Sequence, residues 1–279
     1  MITHDSCETM NTIDAWFDNL RGVLEDQPLT AVDVRIGVFY TAVQLSSGHV
    51  SVAFTPRDLA DTVCCPRSAA SAPPAGGLAG QDAWALAGYA TSPVPLRRAV
   101  GVAVLNALSA LAMDQHGVPG GQLLAGADAL AAAEVQSDDR VAMVGAFVPY
   151  IKRLKETVAG LSIVDKHRDA LKPDELPFWK APEQAREAIS QASVVVITGS
   201  ALVEGGIDAL LEASRGARQV VLAGPTASPW PPPFFARGVS VLGGIRVLDG
   251  PALLQLVSEG GSGHSFQTAA EKMCVIRRP

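Results

Sequence analysis

Two apolar stretches in the second half of the chain, residues 194–198 and 219–223, each end in a polar turn that contains glycine. The first runs into Thr198-Gly199-Ser200 and the second into Gly224-Pro225-Thr226. Apolar runs of this length are typical of strands buried in a parallel sheet, and ligands of such sheets bind at the carboxyl ends of the strands. Hydroxyl groups beside glycines, at the mouth of a following helix, suit an anion or a carboxylate. We therefore expect a binding site at this edge of the sheet.

Two further groups of residues could bind a transition metal. Asp165-Lys166-His167 follows a predicted strand and offers a carboxylate and an imidazole from one loop, and Cys65 adjoins Cys64 in a pair of thiols that suits soft metals. We predict Cys65, Asp165 and His167 as metal ligands. An ordinary strand end and small buried residues before a proline turn explain the same residues, and both alternatives stay open. The chain has no C-x-x-C pair and no H-E-x-x-H pattern of the kind found in many zinc sites.

The first predicted strand of the second half ends at Gly145, where a dinucleotide-binding protein would carry G-x-G-x-x-G. One of those glycines is present, and Phe147 and Pro149 occupy the turn, so NAD is disfavoured as a cofactor. Asp165 lies about 20 residues further on, where such proteins place a ribose-binding acid, so a nucleotide-like cofactor remains an alternative. The sequence also lacks a Walker loop and the G-x-S-x-G turn of serine hydrolases.

The first half of the chain indicates an α+β arrangement in which strands are followed by helices. Apolar residues at helical spacing predict a helix over residues 11–26, with Thr12 as its cap. β-Branched and aromatic residues over 32–45 and 49–54 predict a hairpin around Gly48. We expect further helices over residues 81–89 and 95–113, and a short one within 121–135.

Strands and helices alternate regularly after Asp139, which predicts an α/β fold with a Rossmann-like parallel sheet flanked by helices. The expected strands are residues 140–145, 161–165, 194–198, 219–223, 239–242 and 245–248. The expected helices are residues 149–158, 181–191, 206–214 and 250–258. We therefore divide the chain into a small α+β domain, residues 1–136, and a Rossmann-like α/β domain, residues 137–279.

The composition argues against several kinds of partner. A formal charge of −6 and a pI near 5.4 disfavour nucleic acid and an anionic membrane surface. Residues 99–113 are apolar but interrupted by Asn106 and Ser109, so we interpret them as a buried helix and not as a membrane span. Small residues there could also serve a homodimer, although core packing explains them better. The acidic first residues lack the pattern of a secretory leader, and we expect the four cysteines to be thiols of a cytoplasmic protein.

Several short motifs together resemble one family of proteins. In the first half they are residues 34–43, 53–56 and 98–107, and in the second half residues 144–149, 197–205, 223–226 and 233–239. In this order they resemble a bacterial and archaeal family named for heavy-metal chelation. The resemblance implies an enolase-N-terminal-like domain packed on a Rossmann-like domain, with a site between them. It implies a role in binding or chelating heavy metals, and no established reaction.

The residues and the resemblance agree on a cleft where the carboxyl edge of the sheet meets the hairpin domain. Its expected lining consists of neutral hydrogen-bonding groups, glycines and one acid: Tyr40, Thr41, Asn106, Gly145, Phe147, Asp165, Thr198, Gly199, Ser200, Gly224, Pro225 and Thr226. Such a set suits an anionic or metal-complexed small molecule better than a bare hard cation, which wants several carboxylates. We expect binding of a transition metal, a metal chelate or an anionic small molecule. An enzyme that acts on a small metabolite in the same cleft is the alternative.

Overall fold

The computed structural model describes residues 10–25, 27–57 and 72–278. Helix α1, Thr12–Val23, is capped by Asn11, whose side chain accepts a hydrogen bond from the backbone N–H of Asp14. The expected cap at Thr12 is therefore wrong. Thr12 is the first residue of the helix, and its backbone N–H and its hydroxyl both donate to the carboxylate of Asp208, far along the chain.

Three antiparallel strands form a small sheet in the order β1 (Ala31–Ile36), β2 (Tyr40–Leu45) and β3 (Val50–Phe54). The sequence predicted the turn between β2 and β3 but not the tighter one between β1 and β2. In that tighter turn Gly37 donates its N–H to the carbonyl of Tyr40 at 2.9 Å. A Cβ on Gly37 would lie 2.2 Å from the carbonyl oxygen of Val257. Glycine is needed because the later part of the chain passes directly against this turn.

The large sheet has eight strands in the described part of the chain. Across the sheet they are β4 (Gly121–Ala125), β11 (Ala270–Arg277), β10 (Val241–Val247), β9 (Gln219–Ala223), β8 (Val194–Thr198), β5 (Arg140–Val144), β6 (Gly160–Val164) and β7 (Trp179–Lys180). The strands from β10 to β7 are parallel, whereas β11 is antiparallel to both of its neighbours. The parallel strands follow the Rossmann order, with the first strand in the middle and the fourth beside it. The predicted fold class is confirmed.

Two regions differ from the expectations for single elements. A short helix, α4 (Ala129–Ala132), lies within residues 121–135 as expected, but residues 121–125 form strand β4, which was not expected. Residues 239–242 and 245–248 are not two strands, because β10 continues without a break through Gly243 and Gly244. A Cβ on either glycine would lie 2.2 Å from a neighbouring side chain, Ala129 or Ser228 respectively. These glycines therefore permit close packing and do not end the strand.

Helices lie on both faces of the large sheet and also against the small sheet. They are α2 (Ala83–Ala87), α3 (Pro95–His116), α5 (Val148–Leu154), α6 (Ala185–Ser190), α7 (Ala201–Glu204), α8 (Ile207–Ala213), α9 (Pro231–Phe235) and α10 (Gly250–Ser258), in addition to α1 and α4. Alternate residues of β8 enter different cores: Val195 and Ile197 pack in the core that contains α3, and Val194 and Val196 pack in the core that contains α5. This alternation explains why the strand is apolar throughout.

Helix α3 lies in the core shared by the two sheets. It packs against β2 and β3 of the small sheet, and its apolar residues share one core with Leu222, Leu242 and Val275 of the large sheet. Helix α10 covers the opposite face of the small sheet. In the described part of the chain, α3 is long and apolar enough to cross a membrane by length and composition, and 78% of its most apolar stretch is buried in the protein. The domain boundary at residues 136 and 137 stays a prediction, and β4, which precedes it, pairs with the large sheet.

Asp139 organises the amino edge of the large sheet. Its buried carboxylate accepts hydrogen bonds from the backbone N–H of Gln136, from Ser193 Oγ and from Arg218, at 2.7, 2.7 and 2.6 Å. Burial alone would raise the pKa of Asp139, but these hydrogen bonds and the charge of Arg218 outweigh it and hold the pKa below its ordinary value. Because these residues lie directly before β5, β8 and β9, one carboxylate aligns the starts of three neighbouring strands.

Replacing Asp139 by Asn should lower the free energy of unfolding at neutral pH by about 1–3 kcal/mol, because the buried donors lose a charged acceptor. A carboxylate with a lowered pKa in the folded state stabilises the fold above its unfolded pKa of about 3.9, and this contribution is lost as the pH falls through the folded pKa. In urea unfolding, the difference from the wild type should therefore shrink as the pH is lowered from about 7 to about 3. The exposed neighbour gives a control, Asp138→Asn, which should change little. A difference that does not vary with pH would contradict the role of the Asp139 charge.

Candidate functional site

The centre of the parallel sheet lies between β5 and β8, where the chain order reverses. In a doubly wound sheet, the ligand crevice opens outside the carboxyl ends of the two strands at this point. Gly145 follows β5 with a φ of 94°, and a Cβ on it would lie 2.9 Å from the Cβ of Thr198, the last residue of β8. The two strand ends therefore touch, and only a glycine allows it.

The residues that follow β9 lie against these two strand ends. A Cβ on Gly199 would lie 2.8 Å from the backbone nitrogen of Ala227 and 3.1 Å from the Cβ of Thr226. Gly224 has a φ of 109°, and a Cβ on it would lie 3.8 Å from the ring of Phe147. We call the residues that follow β5, β8 and β9 in this way the strand-end cluster: Gly145, Phe147, Thr198, Gly199, Ser200, Gly224, Pro225 and Thr226.

The small sheet reaches this cluster through the start of β2 and the end of β3. The backbone N–H of Phe54 donates to Thr226 Oγ1 at 2.9 Å. Tyr40 packs its ring edge-on against Phe266 at 5.0 Å, and its hydroxyl and Pro225 both lie within 3.5 Å of where a Cβ on Gly263 would be. Burial raises the pKa of Tyr40 to about 12, so its phenol is a neutral hydrogen-bonding group at physiological pH.

Two of the residues predicted to line the cleft are buried and already bonded. Thr41 and Thr55 share a hydrogen bond between their hydroxyls at 2.9 Å. Asn106 donates from Nδ2 to the carbonyl oxygens of Val52 and Thr226, both at 2.9 Å. Asn106 therefore ties α3 to the small sheet and to the strand-end cluster at once.

Asp165 organises the loops beside the cluster. One carboxylate oxygen accepts the backbone N–H of Ala146 and the other accepts that of His167, each at 2.8 Å. The side chain of His167 is exposed on the same loop, whereas Cys65 lies outside the described residues. Within residues 10–25, 27–57 and 72–278, no three His, Cys, Asp or Glu side chains come together in a way that could hold a metal ion. The predicted set of Cys65, Asp165 and His167 stays a prediction.

Two aromatic residues occupy glycine positions of the dinucleotide fingerprint. Counted from Gly145, the second and third glycines of G-x-G-x-x-G correspond to Phe147 and Tyr150. The two rings stack on each other with centroids 5.4 Å apart and an angle of 23° between their planes. Those glycines normally let a pyrophosphate and the helix come close to the strand, and two large side chains stand at these positions here.

Two residues beside the cluster, Lys166 and Glu204, were not predicted as site residues from the sequence. Lys166 Nζ lies 2.8 Å from Glu204 Oε1, and Ser200 Oγ donates to the other oxygen of the same carboxylate at 3.2 Å. Thr198 Oγ1 donates to Ser200 Oγ at 3.3 Å, so the strand-end cluster continues into a charged pair at the surface. The spacing of Ser200 and Glu204, four residues apart at the start of a helix, was the available signal.

Comparisons with known proteins are consistent with this architecture. Two family profiles match the chain: DUF4213 over residues 22–109 and DUF364 over residues 128–276, each described as "Putative heavy-metal chelation". A crystal structure of a protein with unknown function from the DUF364 family of Pyrococcus horikoshii has a TM-score of 0.73 at 18% identity and covers 95% of this chain and 100% of that one. A DUF364 protein of Desulfitobacterium hafniense DCB-2 has a TM-score of 0.73 at 19% identity, with coverage of 94% and 99%. At these identities the likeness shows the fold. No curated protein sequence matches the chain.

Replacing Gly145 by Ala should destabilise the protein more than replacing Gly126 by Ala. Both glycines have positive φ, 94° and 70°, so both variants should lose about 1–2 kcal/mol to backbone strain. A Cβ on Gly126 meets nothing within 4 Å, whereas one on Gly145 meets Thr198. Displacing Thr198 should cost about 1 kcal/mol or more in addition. Urea unfolding and the backbone amide shift of Thr198 measure the difference, and equal losses would show that the two strand ends do not touch.

Proposed function

The chain belongs to the DUF364 family, whose profile carries the description "Putative heavy-metal chelation". We propose that it binds a transition metal complexed with a small anionic molecule. The proposed site is the cleft between the strand-end cluster and Tyr40 of the small sheet. The reversal of strand order between β5 and β8 supports this location most directly, because ligands of doubly wound sheets bind at this point.

The chemistry of the cluster favours a complexed metal over a bare ion. Its hydroxyl side chains, together with the phenol of Tyr40 across the cleft, can bind the oxygens of an organic ligand, and its glycines bring the backbone close to a bound molecule. Both oxygens of Asp165 already accept backbone N–H groups. The described residues do not provide the several carboxylates, thiolates or imidazoles that a bare ion requires. When the metal is already bound by a small chelator, the protein has to bind only the chelator.

The stacked pair of Phe147 and Tyr150 restricts the shape of the ligand. A dinucleotide would have to pass its pyrophosphate over the first turn after β5, where these rings lie. A compact chelate needs no such approach. We therefore propose a ligand without an extended diphosphate, whose anionic groups contact Thr198, Ser200 and the neighbouring Lys166.

Calorimetric titration with citrate complexes of Ni²⁺, Co²⁺ and Zn²⁺ tests the proposal on the full chain. These complexes should bind at least about tenfold more tightly than the same ions without citrate. Ser200→Ala should weaken their binding about 3- to 10-fold, because one hydrogen bond is worth about 1 kcal/mol. Ser190→Ala, which removes an exposed hydroxyl before the amino end of β8 and therefore at the opposite edge of the sheet from the cluster, is the matched control and should leave affinity unchanged.

The opposite preference would overturn this form of the proposal. If the metal ions alone bind tightly and citrate competes with the protein for them, the chain itself supplies the ligands. Replacement of Cys65, Asp165 and His167 by Ala, one at a time, then tests the predicted metal set by the metal content measured with elemental analysis. If neither the ions nor their citrate complexes bind, the chelation proposal fails.

A second candidate function is an enzyme that acts on a small metabolite with a nucleotide-like cofactor. The Rossmann order of the strands favours it, as does Asp165 directly after the second strand, β6. Adenosine, AMP and ADP should then raise the melting temperature, by an amount that grows with ligand concentration. If none of them shifts the melting temperature at millimolar concentration, the cofactor part of this candidate is excluded.

A further inference from the structure

Strand β1 forms one edge of the small sheet. The hydrogen bond between Gly37 and Tyr40 fixes which residues of β1 bond to β2, because bonded and non-bonded pairs alternate along an antiparallel ladder. By this alternation the backbone groups of Arg35 face β2, whereas the N–H and C=O groups of Val34 and Ile36 point away from the sheet. No described residue forms a hydrogen bond with these outward groups.

The open part of this edge is short and has defined ends. At its start, Ala31 uses its outward backbone groups for hydrogen bonds to Gln81 and Gly80, at 3.0 and 2.7 Å. A bulge follows at this point and interrupts the ladder. At its end, the chain turns at Gly37 back into β2. Residues 32–36 are therefore the stretch that another strand can reach.

Apolar side chains are exposed along the same edge. Val32 is 47% exposed and Ile36 is 40% exposed, and Val38 in the adjoining turn is 60% exposed. These are three of the six large apolar side chains that are exposed in the described part of the chain. A strand edge that combines unpaired backbone groups with exposed apolar side chains favours pairing with another strand.

Two opposite charges flank Val34 on the face of the small sheet that α10 covers. Arg35 lies opposite Ala42 of β2, which belongs to the core under α10. Arg35 forms an ion pair with Asp33 at 2.8 Å and donates to Ser258 of α10 at 3.1 Å. The two charges are therefore held in fixed positions at the edge, and both side chains remain partly exposed.

The sequence of this edge is complementary to itself. In an antiparallel pair of two copies whose two-fold axis passes through Val34, Asp33 of each copy lies opposite Arg35 of the other. The same register brings Val32 of each copy beside Ile36 of the other. A pair centred on Arg35 would instead place like charges opposite each other, which is unfavourable. Charges protect many strand edges from pairing, but the order of the charges on β1 favours a second copy of the same strand.

We infer that the edge of β1 is the interface of a homodimer. The β1 strands of two copies pair antiparallel about Val34 and join the two small sheets into one continuous sheet. Such an interface is two-fold symmetric, with the same surface on both copies. None of its residues belongs to the strand-end cluster, so the inference does not depend on the proposed chelate site. The small residues of α3 take no part in it, because that helix is buried.

Sedimentation equilibrium of the full chain tests whether the dimer exists. The mass should rise with protein concentration from that of one chain, 29.0 kDa, towards twice that value. The range should extend to about 200 µM, because interfaces of small area are weak. A protein that remains monomeric at the highest concentration would overturn the inference.

Two charge variants test the register. Asp33→Arg leaves two positive charges on the edge and Arg35→Asp leaves two negative ones, so each variant alone should dimerise at least about tenfold more weakly than the wild type. An equimolar mixture should dimerise within about threefold of the wild type, because opposite charges then meet across the interface. Both variants lack the ion pair within the chain, so recovery on mixing arises from contacts between copies. Wild-type dimerisation of either variant alone, or no recovery in a mixture of folded variants, would overturn the inference.

A matched pair of variants tests the apolar contact. Ile36 and Val148 are equally exposed, at 40%, and Val148 lies on α5 outside the proposed interface. Ile36→Lys should weaken the dimer at least about tenfold, since it places a charge in an apolar contact, whereas Val148→Lys should leave dimerisation unchanged. Equal effects of the two substitutions would contradict the proposed interface.

Hydrogen exchange measures the strand pairing itself. Exchange of the outward backbone amides of Val34 and Ile36 should slow as the protein concentration rises and the dimer forms. The amide of Arg35 faces β2 in the monomer and in the dimer, so it serves as the internal control. A dimer in which exchange at Val34 does not change would use another surface and would overturn the inference.

Discussion

The burial of helix α3 between the two sheets is the constraint on which the rest of the molecule depends. Its residues from 99 to 109 are fully buried or nearly so, and two of them, Asn106 and Ser109, are polar. Ser109 Oγ accepts the indole N–H of Trp16 and the backbone N–H of Trp230, and donates to Leu105. Since a buried polar group must find partners, the helix fixes α1, the small sheet and the loop after β9 in one arrangement. That arrangement sets the geometry of the strand-end cluster.

Sequence patterns could predict the parts of the fold that rest on local burial. Residues 194–197 are apolar without interruption because alternate side chains enter cores on opposite faces, and that pattern is visible in one stretch of sequence. Strand β4 could not be predicted in this way. Its two leucines and Ala125 favour a helix, and it is a strand because it pairs with β11, about 150 residues later in the chain. The break expected at Gly243 and Gly244 was wrong for a related reason. Glycine disfavours strands, but here side chains from distant parts of the chain occupy the space that a Cβ would take.

The candidate site was likewise predictable in part. Because parallel strands end at one edge, the sequence could predict that Gly145, Thr198 and Gly224 would meet. It could not show which polar groups are already engaged. The carboxylate of Asp165 holds two backbone N–H groups and the hydroxyl of Thr41 is bonded to Thr55, and both bonds depend on loop geometry.

The position of α10 has a consequence for the order in which the protein is made. The small sheet is complete in sequence at Phe54, but the helix that covers one of its faces begins at Gly250. At about 5–20 residues per second, a ribosome needs roughly 10–40 seconds to synthesise the chain between these points. Throughout that time Ala42, Val50 and Val52 lack their final apolar cover. The nascent chain therefore carries an exposed strand surface until residues 250–258 have emerged, although the small sheet itself can form long before then.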